Sequence, residues 1–298
     1  MKQVLLLISL GFLFSQAEID TTEKLPVFDF SKSFNIPGII PKQMPISNNL
    51  ALFPYEIEAI KQKARNYDPE PVTNDDIVIM ETNRGTMKLK LFPDVAPRHC
   101  RNFKKLANSG FYDGTAFHRI IPGFMIQGGD INSRDNDPKN DGQGGPGWKV
   151  DAEFNDISHK RGILSMARSR DKNSAGSQFF ICVADAPHLD GAYTAFGEVI
   201  EKVHVADHIV KTPTEYMQAK RMSKESIPDG EDPDNWITLR DPKTKNKLYA
   251  KVPQYKKKSD YEYEMKIKIN STDRPSLPLT IVKLRVLKES EIQDTQAE

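Results

Sequence analysis

One arginine stands in a segment that is otherwise rich in aromatic, aliphatic and glycine residues. Arg119 lies within FHRIIPGFMIQGGD, at 117–130, and a second apolar segment, GSQFFIC, follows at 176–182. A guanidinium is always charged and presents a rigid fork of donors, so it can stabilise charge that develops on a bound group. An apolar ring bound beside it would need an apolar, partly aromatic socket. Judged one by one, the same residues would be a surface arginine and core side chains.

The elements that would hold these residues are short strands separated by Gly and Pro turns. The runs IVIMET (77–82) and TMKLKLF (86–92) flank Asn83-Arg84-Gly85, which predicts a hairpin. Two helices are predicted, from Pro97 to about Ala107 and from Val203 to Lys211. Further strand-like runs occur at 116–121, 124–128, 163–167, 178–183, 195–200 and 279–287. Many short strands with only two helices predict a closed β-barrel capped by helices.

Further motifs follow in the order and spacing of one protein family. The chain carries GGPG at 144–147, GILSMA at 162–167 and LDGAYTAFGEV at 189–199. With these motifs, residues 77 to about 211 resemble the cyclophilins, and the strand at 279–287 is similar to the family's closing strand. The resemblance covers about half of the chain. It implies a mainly β fold, a closed eight-stranded antiparallel β-barrel capped by two helices, with peptidyl-prolyl cis/trans isomerase activity.

Isomerisation of an X-Pro bond needs neither a nucleophile nor a metal, so no cofactor is expected. Rotation about a peptide bond faces a barrier of ~18–20 kcal/mol because the nitrogen lone pair is delocalised into the carbonyl. A catalyst must stabilise a twisted amide, and each ~1.4 kcal/mol of preferential stabilisation gives a tenfold rate increase. The resemblance makes Arg119 the catalytic arginine, whose donors would localise the lone pair on the prolyl nitrogen.

The resemblance also implies a proline pocket beside Arg119. Gln127 would either hold Arg119 in place or contact the backbone of the substrate. The expected pocket side chains are Phe124, Met125, Phe180 and Leu189.

A groove for an extended proline-containing polypeptide should continue from this pocket. The backbone around Ala167 and Arg168 would bind the peptide through main-chain hydrogen bonds. Position 168 commonly holds a small polar residue in the family, so the arginine should change the charge of the groove more than catalysis. His118 and Gln178 are expected at the groove edges.

Two positions depart from the pattern of many eukaryotic cyclophilins. His188 stands where they carry the tryptophan associated with cyclosporin binding, so reduced cyclosporin binding is predicted. Tyr193 stands where they carry a pocket histidine, and tyrosine there is similar to many bacterial members. An aromatic wall with a polar tip is retained, which is compatible with activity.

The N-terminus predicts export. Lys2 precedes an apolar run from Val4 to Phe14, which Ser15-Gln16-Ala17 follows. A basic start, a short apolar run and small residues at the cleavage point are typical of a signal peptide, here residues 1–17. The run is too short for a transmembrane helix, which needs ~20 apolar residues. The mature chain is therefore expected to be periplasmic or secreted, without a membrane anchor.

The rest of the chain divides into an extension and a catalytic domain. Residues 18–75 are predicted to form an N-terminal extension and linker with one helix, Tyr55 to Arg65. Residues 76–288 form the predicted isomerase domain, and 289–298 are a polar tail.

An insertion, residues 213–275, interrupts the isomerase domain. Its sequence is polar and charged, and three runs in it alternate like strands. These are WITL (236–239), KLYAKV (247–252) and YEYEMKIKI (261–269). Either a partner site or a decorated loop would fit this composition.

Composition excludes other classes of partner. The 298 residues are 38% hydrophobic and 28% charged with a net charge of +1, so no global electrostatic field indicates binding to nucleic acid.

Cys100 and Cys182 are predicted to be buried free thiols. His204 and His208 lie one helical turn apart, but no third metal ligand is evident. A loop that began at Asp137 would lack the glutamate that a calcium loop needs.

A second class of function fits the same motifs. A non-catalytic module of cyclophilin fold would hold proline-containing peptides, or act as a chaperone, with residues 213–275 as a partner surface. It would bind peptides with little turnover, whereas the set of Arg119, Gln127 and the pocket side chains favours an enzyme.

Overall fold

Eight antiparallel strands form the main sheet of the computed structural model, which describes residues 51–135 and 137–294. The strands are hydrogen-bonded in the order β11-β1-β2-β7-β5-β6-β4-β3, and β8–β10 form a separate sheet. The bounds are Asp76–Thr82 (β1), Gly85–Leu91 (β2), Arg119–Ile121 (β3), Met125–Gly128 (β4), Ile163–Met166 (β5), Phe179–Cys182 (β6), Ala195–Glu201 (β7) and Ile281–Lys288 (β11). The predicted mainly β fold with eight antiparallel strands is confirmed. The predicted signal peptide and residues 18–50 lie outside the described residues.

The two edge strands of this sheet, β3 and β11, are not paired as a strand ladder. Backbone hydrogen bonds join the segments that precede them. Phe117 N–H donates to the Leu279 carbonyl at 2.8 Å, Gly114 N–H donates to the Ile281 carbonyl at 2.7 Å, and Ile281 N–H donates to the Thr115 carbonyl at 2.8 Å. Strand pairing alone therefore leaves the predicted barrel open at this seam.

Strand β11 departs from simple alternation at its start. Ile281 is fully buried, whereas Val282 is 46% exposed. The register with β1 shifts between Glu81 and Thr82, so one extra residue of β11 lies opposite that step. The extra residue, Val282, shifts the alternation of side chains along β11 by one position. Ile281 therefore reaches the core together with Leu284.

Helices cover the main sheet and complete its core. They are α1 (Pro54–Asn66), α2 (Pro97–Asn108) and α3 (His204–Val210). Proline at the first position of α2 has no N–H to leave unpaired, which favours a helix start there. The ring of Phe103 in α2 lies 5.3 Å from the rings of Tyr112 and Phe196 and 5.5 Å from Phe179. Cys100 and Cys182 are buried free thiols, as predicted.

Residues 215–270 form a unit with its own small core. A three-stranded sheet in the order β8-β10-β9 packs with two helices. The elements are α4 (Glu215–Arg221), β8 (Ser223–Lys224), β9 (Trp236–Arg240), β10 (Lys247–Lys251) and α5 (Lys258–Asn270). The predicted strands at 236–239 and 247–252 correspond to β9 and β10. A last helix, α6 (Glu289–Asp294), follows β11, so the described residues hold more α-helices than the three predicted.

The predicted strand at 261–269 is wrong, because these residues lie within α5. Tyr261, Met265 and Ile269 recur at every fourth position, and all three are buried on one face of the helix. Ion pairs one helical turn apart join Glu262 to Lys266 and Glu264 to Lys268. Such pairs stabilise a helix and have no counterpart in a strand.

Candidate active site

One cavity of about 660 Å³ collects all but one of the residues that the sequence singled out. Gln178 is the exception. It lines an adjoining cavity of about 560 Å³ that shares Gln127, Gly142, Ala167 and Arg168 with the first. The predicted residues of the first cavity are His118, Arg119, Phe124, Met125, Gln127, Ala167, Arg168, Phe180, His188, Leu189 and Tyr193.

The apolar part of the cavity is a small hydrophobic cluster. Met125, Phe180 and Leu189 are almost fully buried, with 2%, 5% and 6% of their surface exposed. Phe124 and Tyr193 are partly buried against them. The ring of Tyr193 meets that of Phe180 edge to face at 5.9 Å. This arrangement forms an apolar socket with one open side, which suits a flat aliphatic ring.

Arg119 lies at the rim of the socket, and two acceptors hold its side chain. Its Nη1 donates to Oε1 of Gln127 at 3.4 Å, and its Nε donates to Oδ2 of Asp273 at 3.2 Å. Arg119 and Gln127 are direct partners in the β3–β4 ladder, and Gln127 pairs with Phe180 in the β4–β6 ladder. Three neighbouring strands therefore bring the guanidinium, the amide and the pocket ring to one place.

Asp273 is the site residue that reasoning from the sequence missed. It lies near the end of the predicted insertion, where the sequence gives it no role. Its separation of 154 residues from Arg119 carries no spacing signal. Only the general need of a charged guanidinium for an acidic partner pointed to such a residue.

The opposite wall is built by Arg168 and Tyr193. The guanidinium carbon of Arg168 lies 4.5 Å from the ring centroid of Tyr193, a cation–π distance. Its Nη2 also donates to the carbonyl of Ala192 at 2.9 Å. The N–H of Ala167 is bound to the carbonyl of Gln178 at 2.9 Å. Among the described residues, the backbone N–H and carbonyl of Arg168 make no hydrogen bond to another backbone group.

His118, predicted at an edge of the groove, lines the cavity and is buried. Only 8% of its surface is accessible, and neither ring nitrogen has a hydrogen-bond partner among the described residues. Burial lowers the pKa of His118, with the Asp130 carboxylate opposing that effect. Burial therefore favours the neutral form of the His118 imidazole.

A buried serine and a buried histidine, with an exposed aspartate, lie next to the socket. His159 Nδ1 is 2.9 Å from Oδ1 of Asp190, and its Nε2 is 2.9 Å from Oγ of Ser165. These distances match those of a hydrolytic triad. However, Ser165 is fully buried and donates to the carbonyl of Thr194, so its hydroxyl cannot reach a substrate. The His159 ring stacks below Phe180 at 6.3 Å, which makes the group a support for the pocket ring.

The described residues contain no helix that is long and apolar enough to cross a bilayer. Within 51–135 and 137–294, no three His, Cys, Asp or Glu side chains are grouped so that they could hold a metal ion. The two helix histidines, His204 and His208, face each other with ring centroids 5.7 Å apart.

The socket and the guanidinium at its rim, on an antiparallel β scaffold, define a protein built to hold a proline-like ring beside a donor. The family model for cyclophilin type peptidyl-prolyl cis-trans isomerases matches residues 77–228, which is just over half of the chain. The chain therefore belongs to the cyclophilin-type peptidyl-prolyl cis-trans isomerase family, and its enzyme class is that of the isomerases.

Curated relatives of this chain are named peptidyl-prolyl cis-trans isomerases. A peptidyl-prolyl cis-trans isomerase of Synechococcus elongatus is 51% identical over 120 residues, which is 40% of this chain and 77% of that protein. One of Arabidopsis thaliana is 49% identical over 142 residues, 46% of this chain and 84% of that protein. A solved cyclophilin type isomerase of Cryptosporidium parvum aligns at 26% identity with a TM-score of 0.48, over 71% of this chain and 97% of that chain.

Proposed function

We propose that Arg119 and the apolar socket beside it accelerate rotation about X-Pro bonds in exported client proteins and so assist their folding. The observation that carries the proposal is the position of the guanidinium. Arg119 lies at the rim of a socket formed by Met125, Phe180 and Leu189 and is held there by Gln127. A bound proline ring would place its amide nitrogen next to a fixed donor.

Each group has a distinct task in this proposal. The socket would bind the proline ring through burial of apolar surface, worth roughly 25 cal/mol per Å². Arg119 would favour the twisted amide because its donors stabilise a localised lone pair more than a delocalised one. The backbone groups of Arg168 would hold the peptide in an extended form. His118 and His188 complete the walls of this cavity, and Gln178 would line the adjoining part of the groove.

A proline-limited peptide assay tests the catalytic claim. The mature chain should accelerate cis-to-trans exchange, and Arg119→Ala should remove most of that acceleration. Arg84→Ala, which changes an exposed arginine of the β1–β2 turn, is the matched control and should retain wild-type activity. If wild type binds a proline peptide without turnover, the non-catalytic binding module is the correct alternative. Equal rates in wild type and Arg119→Ala would refute the role of Arg119.

The claim about exported clients is supported by the predicted signal peptide, residues 1–17. Its test is the N-terminal sequence of the protein recovered outside the cytoplasm, which should start near Glu18. A chain that retains Met1 and stays in the cytoplasm would contradict export.

We also propose that the hydrogen bonds between 114–117 and 279–281 close the barrel. The isomerase domain then runs from 76 to 288 around the insertion 213–275, and residues 18–75 form an extension that precedes it.

A further inference from the structure

The chain returns to the active site directly after the helix α5 of the insertion. Helix α5 ends at Asn270, and the next residues run beside strand β3. The N–H of Ile120 donates to the carbonyl of Asp273 at 2.8 Å. This backbone contact places the Asp273 carboxylate next to the guanidinium of the preceding residue, Arg119, and Asp273 lines the cavity.

The segment that carries Asp273 is anchored on both sides. Arg274 Nε lies 3.5 Å from Oδ2 of Asp141, in the loop next to the groove, and its Nη1 lies 3.8 Å from Oε2 of Glu215. The N–H of Glu215 donates to the Arg274 carbonyl at 2.9 Å, and the N–H of Ser276 donates to the Pro213 carbonyl at 2.9 Å. Both ends of the insertion are thus held against each other at the edge of the groove.

The hydrogen bonds of Arg119 leave its reactive side open. A guanidinium has five N–H groups in one plane. Asp273 takes the Nε hydrogen and Gln127 takes one Nη1 hydrogen. No other described residue takes the remaining three, which are on the two Nη atoms. An acceptor on Nε fixes the plane of the fork without occupying the Nη donors that a peptide needs.

Orientation, rather than stability, is what this contact can supply. The side chains of Arg119 and Asp273 are 44% and 34% exposed, so water screens their attraction. Exposed ion pairs contribute little to folding. Catalysis is more sensitive, because a donor that is misplaced by about 1 Å loses much of its effect.

We propose that Asp273 is a positioning residue for Arg119, and that the insertion 213–275 is therefore part of the catalytic unit rather than only a partner surface. The proposal rests on the catalytic role of Arg119 and adds a residue that acts through it. It predicts that removal of the carboxylate lowers kcat and leaves KM nearly unchanged, because the socket for the proline ring is untouched.

The test compares Asp273→Ala, Asp273→Asn and Asp273→Glu in the proline-limited peptide assay. We expect Asp273→Ala to lower kcat about tenfold with KM within about twofold, and Asp273→Glu to recover part of the loss. Asp229→Asn, at an exposed aspartate of the same insertion, is the matched control and should behave like wild type. Thermal unfolding of all variants separates a local effect from misfolding.

A second arm shows whether Asp273 acts through Arg119. In an Arg119→Lys background, which retains a charge but loses the fork, Asp273→Ala should have little further effect on kcat. The proposal is overturned if Asp273→Ala keeps wild-type kcat while Arg119→Ala is inactive. It is also overturned if Asp273→Asn raises kcat, because the carboxylate would then be inhibitory. If both Arg119→Ala and Asp273→Ala keep the wild-type kcat, the proposed function itself is refuted.

Discussion

The side-chain amide of Gln127 donates a hydrogen bond of 3.0 Å to Oε1 of Gln178. Gln178 in turn donates from its own amide to the carbonyls of Gly142 and Gly144, both at 2.9 Å. Because Gln127 also accepts from Arg119, a chain of side-chain amides connects the guanidinium to the glycine-containing loop of the adjoining cavity. The orientation of Arg119 thus depends on residues beyond its direct contacts.

Substitution along this chain should reduce catalysis in a graded way. We expect Gln127→Ala to lower kcat/KM about tenfold, because it removes a direct acceptor of Arg119. Gln178→Ala should lower it about threefold, since it acts one step further away. Gln62→Ala, at an exposed glutamine of α1, is the control. A larger loss in Gln178→Ala than in Gln127→Ala would contradict this order.

Cyclosporin binding should depend on His188. The rings of His188 and Phe124 lie 5.3 Å apart at the edge of the socket. Wild type is predicted to bind cyclosporin weakly. His188→Trp should tighten binding at least about tenfold, because indole offers a larger apolar face. Titration calorimetry measures the Kd, with His208→Trp on the exposed side of α3 as the control. Equal affinities of wild type and His188→Trp would show that this position does not decide drug sensitivity.

The stability of the insertion should depend on one buried carboxylate in its core. Asp241 is 1% exposed and accepts from the Tyr216 hydroxyl at 3.1 Å, from Lys220 Nζ at 3.1 Å and from the Lys243 N–H at 2.8 Å. Asp241→Ala leaves the buried Tyr216 hydroxyl and the Lys243 N–H without their acceptor, so the free energy of unfolding should fall by about 3 kcal/mol. Urea denaturation measures it, with Asp229→Ala as the exposed control. A change below about 0.5 kcal/mol would mean that the network contributes nothing.

Asp141 should make stability depend on pH. Burial raises the pKa of Asp141 from 3.8 to about 6, although Arg274 opposes the change. A carboxyl with a raised pKa is costly to ionise in the folded state, so its contribution to stability is lost as the pH rises from about 4 to about 6. Asn mimics the neutral form at every pH. The free energy of unfolding of Asp141→Asn relative to wild type should therefore grow by up to about 3 kcal/mol over this interval.

Urea denaturation of wild type and Asp141→Asn at pH 4, 5, 6 and 7 provides this measurement. Asp229→Asn, whose side chain is exposed, should show a difference from wild type that stays flat across the same range. A flat difference for Asp141→Asn as well would show that the carboxyl ionises in the folded protein as readily as in the unfolded chain.

Patterns that repeat locally were readable from the sequence, and those that depend on a distant partner were not. The hairpin, α2 and most short strands have turn residues and apolar periodicity of their own. The run at 261–269 alternates like a strand, yet it also places Tyr261, Met265 and Ile269 on one helical face. Packing against β9 and α4 decided between the two. A strand would place Tyr263 on the same face as Tyr261 and Met265, whereas Tyr263 is 56% exposed.

Local sequence was enough to place Arg119, its acceptor Gln127 and Met125 together, whereas Phe180 and Leu189 join them only through the packing of distant segments. Arg119, Met125 and Gln127 lie on two strands joined by a tight turn, so antiparallel pairing brings them together wherever the hairpin forms. Tertiary structure alone decided what holds the guanidinium. Asp273 reaches Arg119 only because the insertion folds on its own core and returns its chain along β3. A contact across 154 residues depends on how whole elements pack, and spacing along the chain does not encode that.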